Sequence, residues 1–393
     1  MEKLLLIGID TRSMLNSALK LNFDVYSTSY FSTSDTPQIK HQKIILNERD
    51  GESCGIFEDQ FDNNTILEIS KDYLDEVDYI IPISGISPSD FPKKYNKKIL
   101  GNRDVKNIEN KYAFYKEIKD DFLTPMTFSI TDIDEAIEIN KTYKEKQFIL
   151  KPLQGSGGYD INLLDNDIFF ELHDGEFILQ EYVDGINLSS SVLATKSDAI
   201  TITNTRLLTE HDFGINNSFI YIGNILPLTS KSIMADVTDI DNINKTMNET
   251  SENLAQKFNL IGSNGLDYIL NEKGLYVIEI NPRLQGTFEC VEKSFGINML
   301  DAHIKACQGD IIEIPKPQYY SYKKIVYSPT RMKYQEIDLN NIYDLPHIGS
   351  ITEKSEPLLT IIDYDENFEK LYEKVESTSK KVNRIAIEYQ LDE

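Results

Sequence analysis

Only three cysteines occur in 393 residues, Cys54, Cys290 and Cys307, with no C-x-x-C spacing. That excludes a disulfide framework and a thiolate zinc site, and it fits a reducing compartment. Basic residues are scarce as well: 40 Lys and Arg stand against 64 Asp and Glu, a net charge of −24. Such a surface repels phosphate backbones and anionic lipid, so binding to nucleic acid and to membrane surfaces is not expected. A local basic pocket for a small anion remains open. No apolar run approaches the length that spans a bilayer. The opening MEKLLLIGIDTRS has a short apolar run ended by Asp10 and Arg12 and no small-residue cleavage site. It reads as a first β-strand and not a signal peptide, and a cytoplasmic location is expected. Several chemical signatures are missing too. No GxGxxG follows Gly8, which removes the main support for a dinucleotide dehydrogenase, and there is no GK[ST] phosphate loop. Neither a Ser–His–Asp nor a Cys–His pattern is present, nor an MKM biotin-carrier motif.

Hydrophobic residues make up 40% and charged residues 26%, the balance of a globular chain whose length predicts two or three domains. The first hundred residues alternate strand and helix: KLLLIGI, DVYSTSY and VDYIIPISG read as strands, RSMLNSALKLN as a helix. That order implies a parallel sheet, with Asp10, Thr11 and Arg12 at a strand's carboxyl end, where they either cap a helix or meet a ligand. DVKNIENKYAFYKEIKD reads as one amphipathic helix and MNETSENLAQKFNLIGSNG as another with a glycine end. After about Ile311 come strands at KKIVYS and LLTIIDY, a helix at ENFEKLYEKVESTSKKV and a last strand RIAIEYQL. The expected units are an α/β domain at 1–104, a catalytic domain at 105–310 and a small α+β domain at 311–393.

KPLQGSGGYD places Lys151 at the end of an apolar strand, with Gly155, Ser156, Gly157 and Gly158 just beyond. Such a loop brings backbone N–H groups close to a phosphate because glycine has no Cβ in the way. A strand follows, so the loop is either a flap on a hairpin or a plain hairpin turn with a surface lysine.

GLDYILNEKGLYVIEINPR holds a second signal. With Glu272-Lys273-Gly274 as a three-residue hairpin loop, Asn271 faces Leu275 and Asp267 falls opposite Glu279. Leu266, Tyr268 and Leu270 then oppose Ile280, Ile278 and Tyr276 on the apolar face, and Asn281 shares the acidic face. Two facing carboxylates repel unless a cation lies between them. Asp267, Glu279 and Asn281 are hard oxygen donors that suit Mg²⁺, which fills its octahedron with phosphate and water. Arg283 follows, able to grip a phosphate or a carboxylate. The alternative is a solvated sheet face with a surface Arg–Glu pair. In TNTRLLTEHDFGINNSFIYIGNILPL, Arg206 fits either a substrate carboxylate or a structural ion pair. His211 fits either a proton acceptor or a surface histidine, and Gly223 and Asn224 are further candidates for the same cavity.

In order, ENK, FILKPLQGSGG, ILQEYVDG, GLDYIL and VIEINPR resemble the ATP-grasp superfamily, whose members include biotin carboxylase, D-alanine–D-alanine ligase and purine-pathway carboxylases. The similarity covers about residues 105–310, and the N-terminal text resembles uncharacterised archaeal and methylotroph carboligase-like proteins. It implies an ATP-grasp α/β (α+β) fold with a pre-ATP-grasp domain before it and a small tail domain after it. It further implies that Lys111 and Lys151 reach the nucleotide phosphates and that Gly155 to Gly158 form the covering loop. Gln180, Glu181, Tyr182 and Val183 would form the hinge that receives adenine, with backbone groups of Glu181 and Val183 reading its edge. Asp267, Glu279 and Asn281 would hold Mg²⁺, or Mn²⁺ in its place, and Arg283 would face the γ-phosphate or an acyl phosphate. Asn187 stands where many relatives carry an acid for the ribose hydroxyls. The implied activity is ATP-dependent carboxylate–amine ligation through an acyl phosphate, with Arg283 and Arg206 as catalytic residues and small-molecule carboxylate and amine as partners. The other readings are a bicarbonate-activating carboxylase and a catalytically silent ATP-binding regulator. A homodimer is the default expectation for assembly.

Overall fold

A computed structural model describes residues 1–46, 50–53, 63–153, 158, 161–164, 177–213 and 219–391. The chain begins with β1 (Glu2–Gly8), α1 (Arg12–Ala18), β2 (Phe23–Ser29), β3 (His41–Ile44), α2 (Asn63–Ile69), α3 (Lys71–Glu76) and β4 (Tyr79–Pro82). The strands pair in parallel in the order β3-β2-β1-β4, as the alternation of strand and helix requires. Leu4 to Ile7 in β1 are fully buried, because a central parallel strand is covered on both faces. β3 was not foreseen. Its sequence HQKI lies half-buried on the sheet edge and has no apolar alternation to announce it. One face of the sheet packs Leu4, Leu6 and Leu15 against Val291, Phe295 and Leu300 from much later in the chain.

α4 (Lys106–Glu109) and α5 (Lys111–Ile118) replace the single helix expected here. The break is Asn110, whose extended backbone lets its side chain accept the Ala113 N–H at 2.8 Å. This N-cap starts a new helix at Lys111. β5 (Thr127–Ile130), α6 (Ile133–Thr142), β6 (Phe148–Pro152), β7 (Asn162–Leu163) and β8 (Phe177–Glu181) follow. Their strands form a small antiparallel sheet in the order β5-β8-β6-β7, with β6 and β7 as the arms of the glycine hairpin. Gly155, Ser156 and Gly157 lie outside the described residues.

The large sheet is built from β9 (Ile186–Ala194), β10 (Ala199–Thr209), β11 (Tyr221–Leu226), β12 (Gly262–Asn271) and β13 (Gly274–Asn281). It continues into β14 (Tyr320–Tyr327), β16 (Ile342–Tyr343) and β18 (Pro357–Asp365), while β15 (Met332–Lys333) pairs with β17 (Ile351–Thr352). Among the described residues the order is β13-β12-β9-β10-β11-β14-β18-β16, so strands beyond residue 311 extend the same sheet. α7 (Ile240–Lys257) buries Met247, Leu254 and Ala255 against it. That helix closes at Asn259, with φ 51°, and not at a glycine. α8 (Phe288–Phe295) and α9 (Met299–Gln308) bridge to the N-terminal sheet. α10 (Phe368–Glu388) absorbs the strand expected at RIAIEYQL. Leu371, Val375, Val382 and Ala386 are buried at helical spacing, whereas Ile387, which completed the apparent alternation, is 56% exposed.

Candidate functional site

The β12–β13 hairpin turns on two residues, not three: Asn271 pairs with Gly274, Leu270 with Leu275 and Tyr268 with Val277. A bulge follows, after which Asp267 pairs with Glu279 and Gly265 with Asn281. The expected opposition of the acids therefore holds, but Ile278 does not face Tyr268. It is the extra residue of the bulge. Val277 and Ile280 enter the core, while Ile278 and Glu279, though adjacent, both line the cavity.

That cavity, of about 390 Å³, lies between the small sheet and the β9, β12 and β13 edge of the large one. The Ser189 hydroxyl donates to Asp267 Oδ1 at 2.6 Å, and Asn281 Nδ2 donates to Oδ2 at 2.9 Å. Burial, and then Glu279 opposite, push the Asp267 carboxyl upward; the Ser189 and Asn281 donors and Arg283 act against this. The Lys111 ammonium lies 3.6 Å from Glu279. Lys151 is 4% exposed, and burial brings its pKa down to about 8 although Glu279 draws it back up. Burial likewise lowers Arg283, opposed by Glu279, Glu109 and Asp267. With its nitrogen on Asp267, the Asn281 amide keeps its oxygen for another partner. Among the described residues no three acidic, His or Cys side chains are placed to hold a metal ion together. The donor set of two carboxylates and one amide fits Mg²⁺, whose remaining ligands come from phosphate and water.

The hinge lies at the other end. Gln180 is buried and donates to the Thr127 hydroxyl at 2.9 Å. Glu181 donates its N–H to the Met126 carbonyl, and its carboxylate pairs with Lys146 and accepts the Met126 N–H at 3.2 Å. In an antiparallel ladder that N–H would return to the Glu181 carbonyl. The side chain takes it instead, and Glu181 is one of the residues that line the cavity. Tyr182 donates its N–H to Gln147, and its hydroxyl lies 3.0 Å from His211 Nε2. His211 stacks on Phe219, so it belongs with the hinge and the aromatic wall. Val183, Asn187 and Gly158 also line the cavity. Gly158 has φ +81°, and an added Cβ there would lie 2.0 Å from the Phe219 carbonyl oxygen.

Arg206 is not brought to the cavity. It donates to the carbonyls of Asn187 and Leu207 at 2.8 and 2.9 Å and to Asp212 at 2.5 Å, a clasp across the end of β10. Gly223 and Asn224 do not line the cavity either; their neighbour Tyr221 does, donating its hydroxyl to Asn224. Neither Asp10 nor Thr11 lines the cavity: Thr11 makes no capping bond to α1 and bonds Ser27, while the Asp10 carboxylate accepts the N–H of Arg12, the first residue of α1, at 3.1 Å, the capping role the sequence allowed. Ser84, Ser189, Gln285 and Thr287 line the cavity and were not foreseen. Gln285 and Thr287 follow the VIEINPR stretch closely, two and four residues after Arg283.

Residues 108–287 of this chain match the model of the ATP-grasp domain. The chain is 28% identical to an uncharacterised protein of Methanocaldococcus jannaschii over 92% of this chain and 88% of that one. It is also 24% identical to tyramine–L-glutamate ligase of the same organism, over 71% of this chain and 80% of that one. Among solved structures, N5-carboxyaminoimidazole ribonucleotide synthetase from Thermotoga maritima superposes with a TM-score of 0.69 at 17% identity, covering 97% of this chain and 98% of that one. Biotin carboxylase from Campylobacter jejuni gives 0.71 at 15% identity, with coverage of 99% and 91%. These two likenesses concern the fold. Among the described residues no helix is long and apolar enough to cross a membrane.

Proposed function

We propose that this chain is an ATP-dependent ligase that activates a small-molecule carboxylate as an acyl phosphate and couples it to an amine, releasing ADP and phosphate. The observation that carries this reading is the meeting of Asp267, Glu279 and Asn281 with Lys111, Lys151 and Arg283 on one cavity. The similarity to tyramine–L-glutamate ligases over 71% of the chain supports the carboxylate–amine class.

In this reading the catalytic unit is 105–310, flanked by 1–104 and 311–393. Asp267, Glu279 and Asn281 would hold Mg²⁺, with Mn²⁺ as a substitute. The cation would supply charge neutralisation between phosphate oxygens. Lys111 and Lys151 grip the phosphates, with Gly158 beside them on the cavity wall. The Glu181 carbonyl and the Val183 N–H read the edge of the base against the apolar wall of Ile149, Ile269 and Ile278, and Asn187 faces the ribose. Arg283 holds the carboxylate in line with the transferring phosphoryl group and offsets the charge that builds there. No covalent enzyme intermediate is needed, so catalysis is positioning and electrostatics.

The test is ADP and phosphate release by the purified chain against panels of carboxylates and amines, with product mass determined. Turnover that requires one of each supports ligation. Turnover that requires bicarbonate instead would make the chain a carboxylase. Tight ATP binding without turnover on any panel would make it a regulator.

A further inference from the structure

We propose that Gln285 is a positioning residue for the divalent-cation site, acting through Ser189 to fix the carboxylate of Asp267. This rests on the ligase reading above, in which Asp267 is a cation ligand. Gln285 Nε2 lies 3.3 Å from Ser189 Oγ, and that hydroxyl lies 2.6 Å from Asp267 Oδ1. At the other end of the same amide, Oε1 lies 3.2 Å from the Ser191 hydroxyl and 3.4 Å from the Thr287 hydroxyl. The side chain lies flat on Gly265, where a Cβ would fall 1.4 Å from Nε2. Gly265 is thus a cradle that only the absence of a side chain provides.

The direction of these bonds follows from the inventory of hydrogens. A hydroxyl has one hydrogen, and a serine oxygen 2.6 Å from a carboxylate must place that hydrogen between them. The Leu266 carbonyl, 3.1 Å from the same oxygen, competes for the hydrogen but is farther away and uncharged. Ser189 therefore has only lone pairs to offer Gln285, and Gln285 must present its N–H. The Ser191 and Thr287 hydroxyls, gathered on the amide oxygen, favour that orientation over the flipped one. Gln285 thus occupies a lone pair of Ser189 and stops the hydroxyl from rotating toward Leu266. Asn281 holds the other Asp267 oxygen at 2.9 Å. Together the two donors set the rotation of the carboxylate, and hence which lone pair faces the cation. Outer partners of this kind orient metal ligands, and losing one costs about 10- to 100-fold in metal affinity.

The experiment measures Mn²⁺ binding by electron paramagnetic resonance, on the full chain with a non-hydrolysable ATP analogue. The variants are Gln285→Met, Ser189→Ala, the two combined, Ser189→Thr and Asp267→Asn, each checked for an unchanged circular dichroism spectrum. The two single losses are expected to weaken Mn²⁺ by about 10-fold, with metal-free ADP affinity unchanged. The double variant should bind no worse than Ser189→Ala, because Gln285 acts through that hydroxyl. Ser189→Thr, which keeps the hydroxyl, should bind as the native chain does. Native affinity in Gln285→Met, a double variant weaker again, or a Ser189→Thr as poor as Ser189→Ala would each overturn the relay. Native Mn²⁺ affinity in Asp267→Asn would instead overturn the ligase reading beneath it.

Discussion

The guanidinium of Arg12 meets the carboxylate of Glu289 edge to edge: Nη1 to Oε1 and Nη2 to Oε2 are both 2.9 Å, across 277 residues of chain. Its Nε donates to Asp344 at 2.5 Å, and its plane lies over the Tyr343 ring. One buried cation thus ties the start of α1 to the first turn of α8 and to the C-terminal strands. Glu289 is two residues past Thr287, so the clasp also fixes the cavity wall.

Among the described residues, removing that cation leaves two acids with only Lys323, 3.7 Å from Glu289, to offset them. Glu289 and Asp344 have side chains only 14% and 28% exposed. Arg12→Met is expected to destabilise the chain by about 3 kcal/mol, the cost of breaking a buried pair. Arg12→Lys should recover little, since one ammonium cannot make a planar fork. Urea denaturation of the three proteins measures both differences.

Lys151 gives nucleotide binding a pH dependence. Its pKa, lowered to about 8 chiefly by burial, leaves the ammonium form dominant below pH 8 and the neutral amine above it. ATP affinity is expected to hold from pH 7 to 8 and then weaken. Lys151→Arg should flatten the profile, and Lys151→Met should weaken binding about 100-fold at pH 7. Calorimetric titration across that range reads all three.

Gly158 admits no side chain. At φ +81°, with a Cβ position 2.0 Å from the Phe219 carbonyl, alanine forces the hairpin off its seat. Strain of about 1–3 kcal/mol is expected. It should appear as a KM for ATP raised about 10-fold, by the usual 1.4 kcal/mol per decade, with the melting temperature little changed.

His303 makes the fold acid-sensitive. It is 3% exposed, accepts the Ser263 N–H at Nδ1, and has a pKa pushed down to about 4 by burial. The unfolded chain binds a proton near pH 6.5 and the folded chain does not. Stability is therefore intact above pH 6.5 and declines as pH falls toward 4, by about 3 kcal/mol in all. His303→Gln should lose less between pH 7 and pH 5, as measured by thermal unfolding at both.

How much of this was legible depended on whether a signal was local. Asp267, Glu279 and Asn281 were visible because a hairpin has period 2 and a short turn. Lys151 was visible because an apolar strand stops beside glycines. The turn length was misjudged because Gly274 suits a left-handed position in either loop, and nothing in VIEI marks a bulge. Arg206 was ambiguous because its partner Asp212 lies six residues on, inside a loop without periodicity. Ser189, Thr287 and Arg12 were opaque: each gains its meaning from a residue brought beside it by sheet or domain packing. The polar strand β3 and the last turns of α10 failed for the complementary reason, that short-range pattern was absent in one and misleading in the other.

The bulge at Ile278 has a geometric corollary. Cutting that residue out would leave Val277 against Tyr268 and Glu279 against Asp267, so the acids would still face each other eleven positions apart. What would vanish is the apolar strip that Ile278 gives the cavity wall. Spacing between the two acids is thus no measure of cation chemistry. It records instead that one added residue turns Ile278 toward the cavity without parting the acids.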